Sequence, residues 1–256
     1  MKYDVIVLGS GPGGYVTAIR ASQLGLKTAV IERESLGGIC LNWGCIPTKA
    51  LLKSANVFDY IKNAEDYGIQ VAEPKADFGG MVARSRGVAD GMSKGVTFLL
   101  KKNKVDVIMG TGKVLAGKRI EVTANDGGTQ VIEAANIIIA TGARSRQLPN
   151  LTQDGNKIIG YREAMTLKSQ PKKMVVVGSG AIGVEFAYFY NSIGTDVTLV
   201  EYMDGIIPIE DKEVGKQLQK SLKKQGITIK TSSEVTSVDT SGSGCKVFVK
   251  TKKGDE

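Results

Sequence analysis

Apolar residues along the chain occur in short runs that end in glycine-rich turns or lead into helical stretches. The first run, Tyr3 to Leu8, passes through the turn GSGPGG into a helical stretch and a second apolar strand that ends in an acid. The pattern then predicts longer helices over residues 47–62 and 77–103. It further predicts strands at about 105–109, 112–116, 119–124 and 129–140, with Asn125-Asp126-Gly127-Gly128 as a hairpin turn.

The second half of the chain continues this alternation. Residues 137–143 predict a buried strand that runs into a small-residue turn, where the backbone can lie against a nucleotide. Residues 144–156 are polar, and we expect them to cross between two domains. Another apolar strand starts near residue 172. It is followed by a lysine-rich helix at about 211–225 and by strands near 227–231 and 246–251, the last of which has no predicted partner.

The strand, glycine turn, helix and strand occur twice. Residues 173–202 repeat the pattern found within residues 3–33 at a shift of 169 positions. The shift superposes Gly9 on Gly178, Ser10 on Ser179, Gly11 on Gly180, Gly14 on Gly183, Gly25 on Gly194 and Glu32 on Glu201. A lone GxGxxG motif is weak evidence of function, but here its structural context is complete in both copies.

Each position of this motif has a physical role in dinucleotide binding. The first glycine permits a tight turn, the second lets the backbone approach a pyrophosphate, and the third lets the helix pack on the strand. The helix N-terminus offers amides and a partial positive charge to phosphates. Glu32 and Glu201 are placed to bind a ribose diol and to repel a 2′-phosphate, and no arginine follows Glu201. The pattern therefore predicts FAD and NAD rather than NADP.

Composition narrows the function classes. The chain has 256 residues, enough for one large or two medium domains, and a net charge of +8. Its lysines are scattered without interleaved aromatic residues, which favours a solvated basic surface over nucleic-acid binding. Three cysteines, no recognisable signal peptide and no long apolar run predict a protein of a reducing compartment without membrane spans.

Two of the three cysteines, Cys40 and Cys45, lie five positions apart in CLNWGC. With no histidine in the chain, a tetrahedral zinc site lacks ligands, and a structural disulfide is uncommon in a reducing compartment. A pair that cycles between dithiol and disulfide remains. Because Pro47 suits the first turn of a helix, we expect Cys45 to be the low-pKa thiolate facing a cofactor and Cys40 to meet the incoming thiol. Cys245 is interpreted as an ordinary thiol.

The segment GGICLNWGCIPTKALL, at residues 37–52, resembles the redox signature of the pyridine nucleotide-disulfide oxidoreductases, and within that family the dihydrolipoyl dehydrogenase branch. The resemblance continues through the Ala140-Thr141-Gly142 turn, the second glycine motif and Glu201. It implies an α/β fold with two Rossmann-like FAD/NAD(P)-binding domains of the three-layer ββα type. They would be an FAD domain at 1–146 and an NAD domain at 147–256, without a C-terminal interface domain.

The resemblance also implies site residues by position. FAD would be held by Gly9, Ser10, Gly11, Pro12, Gly13, Gly14, Glu32, Arg33, Gly37, Gly38, Lys49, Gly112, Thr141, Gly142 and Ala143. NAD would be held by Gly178, Gly180, Ala181, Ile182, Gly183, Glu185, Glu201 and Val235. The catalytic residues would be Cys40, Cys45, Lys49 and Glu185, with Lys49 near the reacting edge of the flavin and Glu185 as its partner.

The implied reaction is the oxidation of dihydrolipoamide to lipoamide. A substrate thiolate attacks Cys40, the mixed disulfide resolves, and Cys45 passes two electrons through FAD to NAD. The implied partners are a lipoyl domain of a 2-oxo acid dehydrogenase complex, or the glycine-cleavage H protein, and a second copy in a full-length homodimer. The alternatives are a mercuric or glutathione reductase-like enzyme of the same family, or a non-catalytic nucleotide-binding fragment.

The sequence departs from the family at the catalytic base. In the family this base is a histidine from the C-terminal interface domain of the other subunit, whereas this chain has no histidine. We therefore expect a fragment of a longer protein that has little or no lipoamide dehydrogenase activity alone. A bacterial cytoplasm is the expected location, with an organelle matrix or stroma as the alternative.

Overall fold

The computed structural model describes residues 2–252 and 254–255. Its helices, in chain order, are α1 (Pro12–Gln23), α2 (Gly38–Asn42), α3 (Cys45–Lys62), α4 (Phe78–Lys102), α5 (Tyr161–Ala164), α6 (Ala181–Ser192) and α7 (Lys212–Lys224). Its strands are β1 (Lys2–Leu8), β2 (Thr28–Glu32), β3 (Asp106–Leu115), β4 (Arg119–Ala124), β5 (Thr129–Ile139), β6 (Lys173–Val177), β7 (Asp196–Val200), β8 (Thr228–Lys230), β9 (Glu234–Asp239), β10 (Lys246–Thr251) and β11 (Gly254–Asp255). Among the described residues, no helix has the length and apolar character needed to cross a bilayer.

The chain forms two compact units, one of residues 1–47 and 85–144 and the other of residues 48–84 and 145–256. The chain passes from the first unit to the second after residue 144, close to the predicted domain boundary at 146. Residues 48–84 belong to the second unit, however, because Leu51, Ala55 and Phe78 are buried in its core. The assignment of residues 1–146 and 147–256 to separate nucleotide-binding domains stays a prediction.

In the first unit, a parallel sheet of order β3-β2-β1-β5 shares its two outer strands with an antiparallel meander, β3-β4-β5, so that the five strands close on themselves. All five residues of β2 are buried, as is typical of a central parallel strand. The parallel strands end at the loops that carry the first glycine motif and residues 140–143. The sheet therefore sets the position of these loops.

Strand β3 corrects one sequence prediction. The two strands expected at 105–109 and 112–116 are one continuous strand, because Gly110 does not form a turn. Up to Met109 the strand pairs with β2, and from Gly110 onward it pairs with β4. A side chain at Gly110 would meet the carbonyl oxygen of Thr123 at 2.5 Å, so the glycine permits a close approach of the β4 backbone.

Strand β5 corrects a second prediction, that its end is buried. Ile137 and Ile138 are half-buried, and Ile139 is 68% exposed. The pairing explains this exposure, since β4 pairs with β5 only as far as Glu133. Beyond that residue, the described part of the chain places only β1 beside β5.

The second unit contains a parallel sheet of order β6-β7-β8 and an antiparallel sheet of order β11-β10-β9. The expectation that the strand at 246–251 lacks a partner is wrong: β10 pairs with both β9 and β11. Strand β9 was missed because its sequence, EVTSVD, carries few apolar residues. The predicted helix at 211–225 is present as α7, and its N-cap is Asp211, whose carboxylate accepts hydrogen bonds from the backbone N–H groups of Glu213 and Val214.

Candidate functional site

The first glycine motif, between β1 and α1, has the geometry that its spacing predicts. Gly9 has a φ of +101° and donates its backbone N–H to Ile31 at 2.8 Å. An added Cβ on Gly9 would lie 2.3 Å from the carbonyl oxygen of Ala140, and one on Gly14 would lie 1.9 Å from the carbonyl oxygen of Gly9. The backbone at both positions therefore excludes any larger residue.

The second glycine motif, between β6 and α6, repeats this geometry. Gly178 has a φ of +94° and donates to Val200 at 2.8 Å, and a Cβ on Gly183 would lie 2.0 Å from the carbonyl oxygen of Gly178. Helix α6 begins at Ala181, which is 169 positions after Pro12 at the start of α1. The sequence repeat is thus a repeat of local structure.

The second glycine of each motif faces open space. Gly11 and Gly180 are the N-caps of α1 and α6, have extended backbones, and provide no side chain to cap the helix. No atom beyond their chain neighbours lies within 4 Å of a Cβ built on either residue. This leaves room at each helix N-terminus, where backbone amides favour an anionic ligand such as a pyrophosphate.

The carboxylate at the end of β2 is held by hydrogen bonds from the protein itself. Glu32 Oε2 accepts from the Ser10 hydroxyl at 2.6 Å and from the Ser10 backbone N–H at 3.0 Å. Glu32 Oε1 accepts from the backbone N–H of Glu34 at 2.9 Å. Since a carboxylate offers about four acceptor positions, one remains for an added donor. This leaves room for a ribose hydroxyl at Glu32, and that contact stays a prediction.

The same network surrounds the second carboxylate. Glu201 Oε2 accepts from the hydroxyl and backbone N–H of Ser179 at 2.6 and 2.8 Å, and Glu201 Oε1 accepts from the backbone N–H of Met203 at 2.7 Å. The alignment of Ser179 with Ser10 did not predict that these serines anchor the carboxylates. The signal was present, since both serines recur at the same offset from both carboxylates.

The cysteine pair lies in the segment after β2, at α2 and the start of α3. Cys40 and Cys45 form a disulfide with Cα atoms 4.8 Å apart, which confirms the predicted pairing. Cys40 lies in α2 and is half-buried, and Cys45 is the first residue of α3 and is exposed. Helix α3 begins two residues before the predicted start at Pro47, so Cys45 lies at the helix N-terminus, as a stabilised thiolate requires.

Two glycines attach this segment to the glycine motif. Gly37 has a φ of +91° and donates its N–H to the Ser10 carbonyl at 3.1 Å. A Cβ on Gly38 would lie 2.7 Å from Gly11 Cα. The disulfide segment and the predicted pyrophosphate loop are therefore adjacent within one unit.

Helix α4 supplies a contact with the cysteine segment that the sequence pattern does not indicate. The Arg86 guanidinium lies over the Trp43 ring, with Cζ 4.6 Å from the ring centroid. Burial lowers the pKa of Arg86, and the nearby carboxylate of Asp90 partly offsets the effect. No local pattern could reveal this contact, because the two partners lie far apart in the sequence.

Lys49 and Glu185 form an ion pair within the second unit, with Nζ 2.5 Å from Oε1. The predicted partnership of these two side chains is therefore present. The Lys49 side chain is 61% exposed and the Glu185 side chain 26% exposed. Such exposed pairs contribute about 0–1 kcal/mol to stability, so the fold does not require this one. The role of the pair beside a flavin stays a prediction.

The remaining predicted site residues are placed as follows. A Cβ on Gly112 would lie 2.5 Å from Leu8 Cδ1, and Thr141 lies beside Gly9, so these positions converge on the first glycine motif. Arg33 is exposed, and its carbonyl accepts from Asn125. The others are Gly142 and Ala143, which follow Thr141; Gly13 in α1; and Ile182, which is exposed on α6.

Val235 lies on β9, outside the parallel sheet that carries the second glycine motif. Two residues before it, Ser233 donates its backbone N–H to the Glu201 carbonyl at 2.9 Å. The described residues contain no group of three or more histidine, cysteine, aspartate or glutamate side chains that could hold a metal ion.

Comparison with known proteins agrees with this arrangement. The family model for pyridine nucleotide-disulphide oxidoreductases matches residues 3–256. The dihydrolipoyl dehydrogenase of Zymomonas mobilis is 52% identical over 231 residues, which are 90% of this chain and 50% of that protein. The dihydrolipoyl dehydrogenase of Rhizobium etli is 49% identical over 268 residues, covering 99% of this chain and 56% of that protein.

Solved structures show the same likeness. The crystal structure of LpdA from Mycobacterium tuberculosis superposes with a TM-score of 0.88 at 30% identity, covering 99% of this chain and 56% of that one. The chain thus spans about half the length of the curated relatives it matches. Its fold is that of the FAD/NAD(P)-binding part of a flavin disulfide reductase.

Proposed function

Since this chain belongs to the pyridine nucleotide-disulphide oxidoreductase family, we propose that it is the FAD- and NAD-binding part of a dihydrolipoyl dehydrogenase. The observation that carries the proposal is the Cys40–Cys45 disulfide. Cys45 is the first residue of α3, and the disulfide segment contacts the first glycine motif. The identity of about 50% to dihydrolipoyl dehydrogenases supports this branch of the family.

The residues present fit both nucleotides. The open N-termini of α1 and α6 suit pyrophosphates, and Glu32 and Glu201 each retain one acceptor position for a ribose hydroxyl. Two motifs of this kind, in separate compact units, suit two dinucleotides. When bound, FAD supplies a two-electron acceptor between the dithiol and NAD.

In the proposed half-reaction, a dihydrolipoamide thiolate attacks the Cys40 sulfur. A new S–S bond forms to the substrate, the Cys40–Cys45 bond breaks, and Cys45 leaves as a thiolate at the N-terminus of α3. The second substrate thiol, after losing its proton, attacks the substrate sulfur of the mixed disulfide and releases Cys40. The chain gains two electrons, and dihydrolipoamide becomes lipoamide.

Two protons leave the substrate in this step. Because the chain contains no histidine, we propose that the accepting base lies outside these 256 residues. We further propose that the substrate is carried on a lipoyl domain, that the full-length protein is a homodimer, and that it acts in a bacterial cytoplasm. The similarity to dihydrolipoyl dehydrogenases, and not any observed contact, supports the first two proposals, and the bacterial origin of those relatives supports the third.

A single-turnover experiment tests the proposed chemistry without the missing base or NAD. The oxidised chain is mixed with dihydrolipoamide at alkaline pH, and we expect one lipoamide to form per chain. Cys40→Ser and Cys45→Ser should form none, whereas Cys245→Ser should match the parent because that thiol is exposed and outside the pair. Absence of lipoamide with the parent chain, or faster reaction with glutathione at equal thiol concentration, would contradict the dihydrolipoyl branch.

Flavin binding is tested by spectroscopy. After addition of FAD and removal of the excess, we expect bound flavin absorbance. Mild reduction should then produce a long-wavelength charge-transfer band, which reports a thiolate beside the ring. A sample that stays colourless would contradict the FAD proposal. A bound flavin without the band would support FAD binding but contradict the proposed position of the Cys45 thiolate beside the ring.

A further inference from the structure

The turn between the two cysteines is held by a side chain from another helix. Trp43 and Gly44 connect α2 to α3, and Arg86 of α4 covers the Trp43 ring at 4.6 Å from Cζ to the centroid. The same guanidinium donates through Nη2 to the Asn42 carbonyl. One planar cation thus contacts two consecutive residues between Cys40 and Cys45, which a point charge such as lysine cannot do as well.

Two serines of α4 fix the ends of this segment. Ser93 Oγ donates to Asn42 Oδ1 at 2.8 Å, and the fully buried Ser85 donates its hydroxyl to the Pro47 carbonyl at 2.9 Å. Asn42 in turn donates through Nδ2 to the carbonyls of Leu36 and Gly38, both at 2.9 Å. The segment from residue 42 to 47 is therefore attached to α4 at both ends and through its centre.

A disulfide's stability depends on how closely its two thiols are held in the reduced state. When the S–S bond is broken, the connecting backbone gains freedom, and the effective concentration of one thiol at the other falls. The contacts of Arg86 are made with the backbone and the ring between the cysteines, so they do not require the S–S bond. They oppose this gain of freedom after reduction.

We propose that Arg86 is a positioning residue for the Cys40–Cys45 pair, holding the Trp43 turn so that the two thiols stay within bonding reach of each other. Arg86 thereby stabilises the disulfide relative to the dithiol and lowers the reduction potential of the pair. This role of Arg86 rests on the proposed redox function, but only because the cysteine pair must be reducible.

The test is a redox titration of the chain against dithiothreitol and its oxidised cyclic form. In this exchange the protein disulfide gains two electrons and two protons, and dithiothreitol becomes a cyclic disulfide. For Arg86→Ala we expect the equilibrium constant for reduction to rise about tenfold, because the freed turn lowers the effective concentration of one thiol at the other in the reduced state. Tenfold corresponds to about 30 mV for a two-electron couple. Arg86→Lys should shift the constant in the same direction, because it keeps the charge without the planar stack.

The matched control is Arg84→Ala, which removes the same charge from the same helix. Arg84 donates instead to the Ala50 carbonyl at 2.8 Å, so we expect no change in the equilibrium constant. Equal constants for the parent and Arg86→Ala, or equal shifts for both alanine variants, would overturn the role of Arg86. Failure of dithiothreitol to reduce the parent pair would contradict the proposed function instead.

Tryptophan fluorescence gives an independent readout, because Trp43 is the only tryptophan in the chain. In the reduced chain, we expect Arg86→Ala to increase quenching of Trp43 by acrylamide while the thermal unfolding midpoint stays near that of the parent. Trp43→Leu removes the other half of the stack and should raise the equilibrium constant like Arg86→Ala, which covers the case of a poorly folded arginine variant. An unchanged constant in a folded Trp43→Leu chain would also contradict the proposal.

Discussion

Ser10 and Glu32 form a buried pair in which both the hydroxyl and the backbone N–H of the serine donate to the same carboxylate oxygen, at 2.6 and 3.0 Å. Ser10 is fully buried, and Glu32 is 9% exposed. The pair Ser179–Glu201 has the same arrangement in the second unit. Each pair joins the glycine turn to the end of the neighbouring parallel strand.

Replacing Ser10 by alanine should therefore destabilise the chain. The substitution leaves Glu32 Oε2 buried with one donor fewer, which costs about 1–3 kcal/mol in the free energy of unfolding. Urea denaturation followed by circular dichroism measures this loss, and Ser179→Ala should give a similar one. Ser237→Ala, at an exposed position of β9, should stay within about 0.5 kcal/mol of the parent. Equal losses for Ser10→Ala and Ser237→Ala would show that the buried pair contributes nothing.

Two adjacent glycines of α1 should respond oppositely to alanine. A Cβ at Gly14 would lie 1.9 Å from the carbonyl oxygen of Gly9, whereas a Cβ at Gly13 meets no atom within 4 Å. We expect Gly14→Ala to lose about 1–3 kcal/mol of stability and to weaken FAD binding, because the turn must move. Gly13→Ala should be neutral or stabilise by up to about 1 kcal/mol. Thermal unfolding and flavin titration of both variants measure the difference, and equal behaviour would contradict the close packing at Gly14.

The ion pair of Lys49 and Glu185 should matter for chemistry more than for stability. Because the pair is partly exposed, Lys49→Met should change the free energy of unfolding by about 1 kcal/mol or less. With FAD bound, we expect the same variant to slow flavin reduction by dihydrolipoamide at least about tenfold, through loss of a cation near the ring. Stopped-flow absorbance measures this rate. Lys53→Met, one turn further along α3 and also exposed, is the control. A parent-like rate for Lys49→Met would remove Lys49 from the proposed site.

Tyr190 should make the second unit sensitive to alkaline pH. Burial raises the pKa of its phenol well above the usual value near 10, and the hydroxyl donates to the Ala164 carbonyl. Below about pH 10 the neutral phenol is present in both states, and its contribution to stability is complete. As the pH rises further, the unfolded phenol ionises first, so the free energy of unfolding falls until the folded phenol ionises too.

Tyr190→Phe isolates this effect. Near pH 8 we expect the variant to be less stable by about 1 kcal/mol, because the Ala164 carbonyl loses its donor. Above pH 10, however, its stability should fall less steeply than that of the parent. Tyr202→Phe, at a position 70% exposed, should follow the parent at both pH values. Parallel alkaline profiles for Tyr190→Phe and the parent would refute the raised pKa.

Features that depend on local spacing could be predicted from the sequence. The repeat at 169 positions gave both glycine turns, both helices and both terminal carboxylates, because each lies within about 30 residues of its partners. The CLNWGC spacing and Pro47 likewise placed the disulfide at a helix start. The network around Glu32 and Glu201 could also have been found, since the serines repeat with the carboxylates.

Features that depend on distant partners could not be predicted. Glycine is typical of turns, but Gly110 lies inside β3. It marks the point where the pairing of β3 changes from β2 to β4. Arg86 is one of several basic residues on α4, and only tertiary packing brings it to Trp43. The burial of Leu51 in the second unit depends likewise on aromatic residues more than 130 positions away, such as Phe189.

The double pairing of β3 has a consequence for the order of folding. Its half after Gly110 pairs with β4, which follows in the sequence, whereas its half before Gly110 pairs with the distant β2. Contacts between sequence neighbours form faster than those that close long loops, so we expect the β3–β4 hairpin to form first. A slip of one residue would turn every side chain of β3 to the opposite face and remove Gly112 from Leu8. The register of the β3–β4 hairpin would thus determine the register in which β3 later pairs with β2.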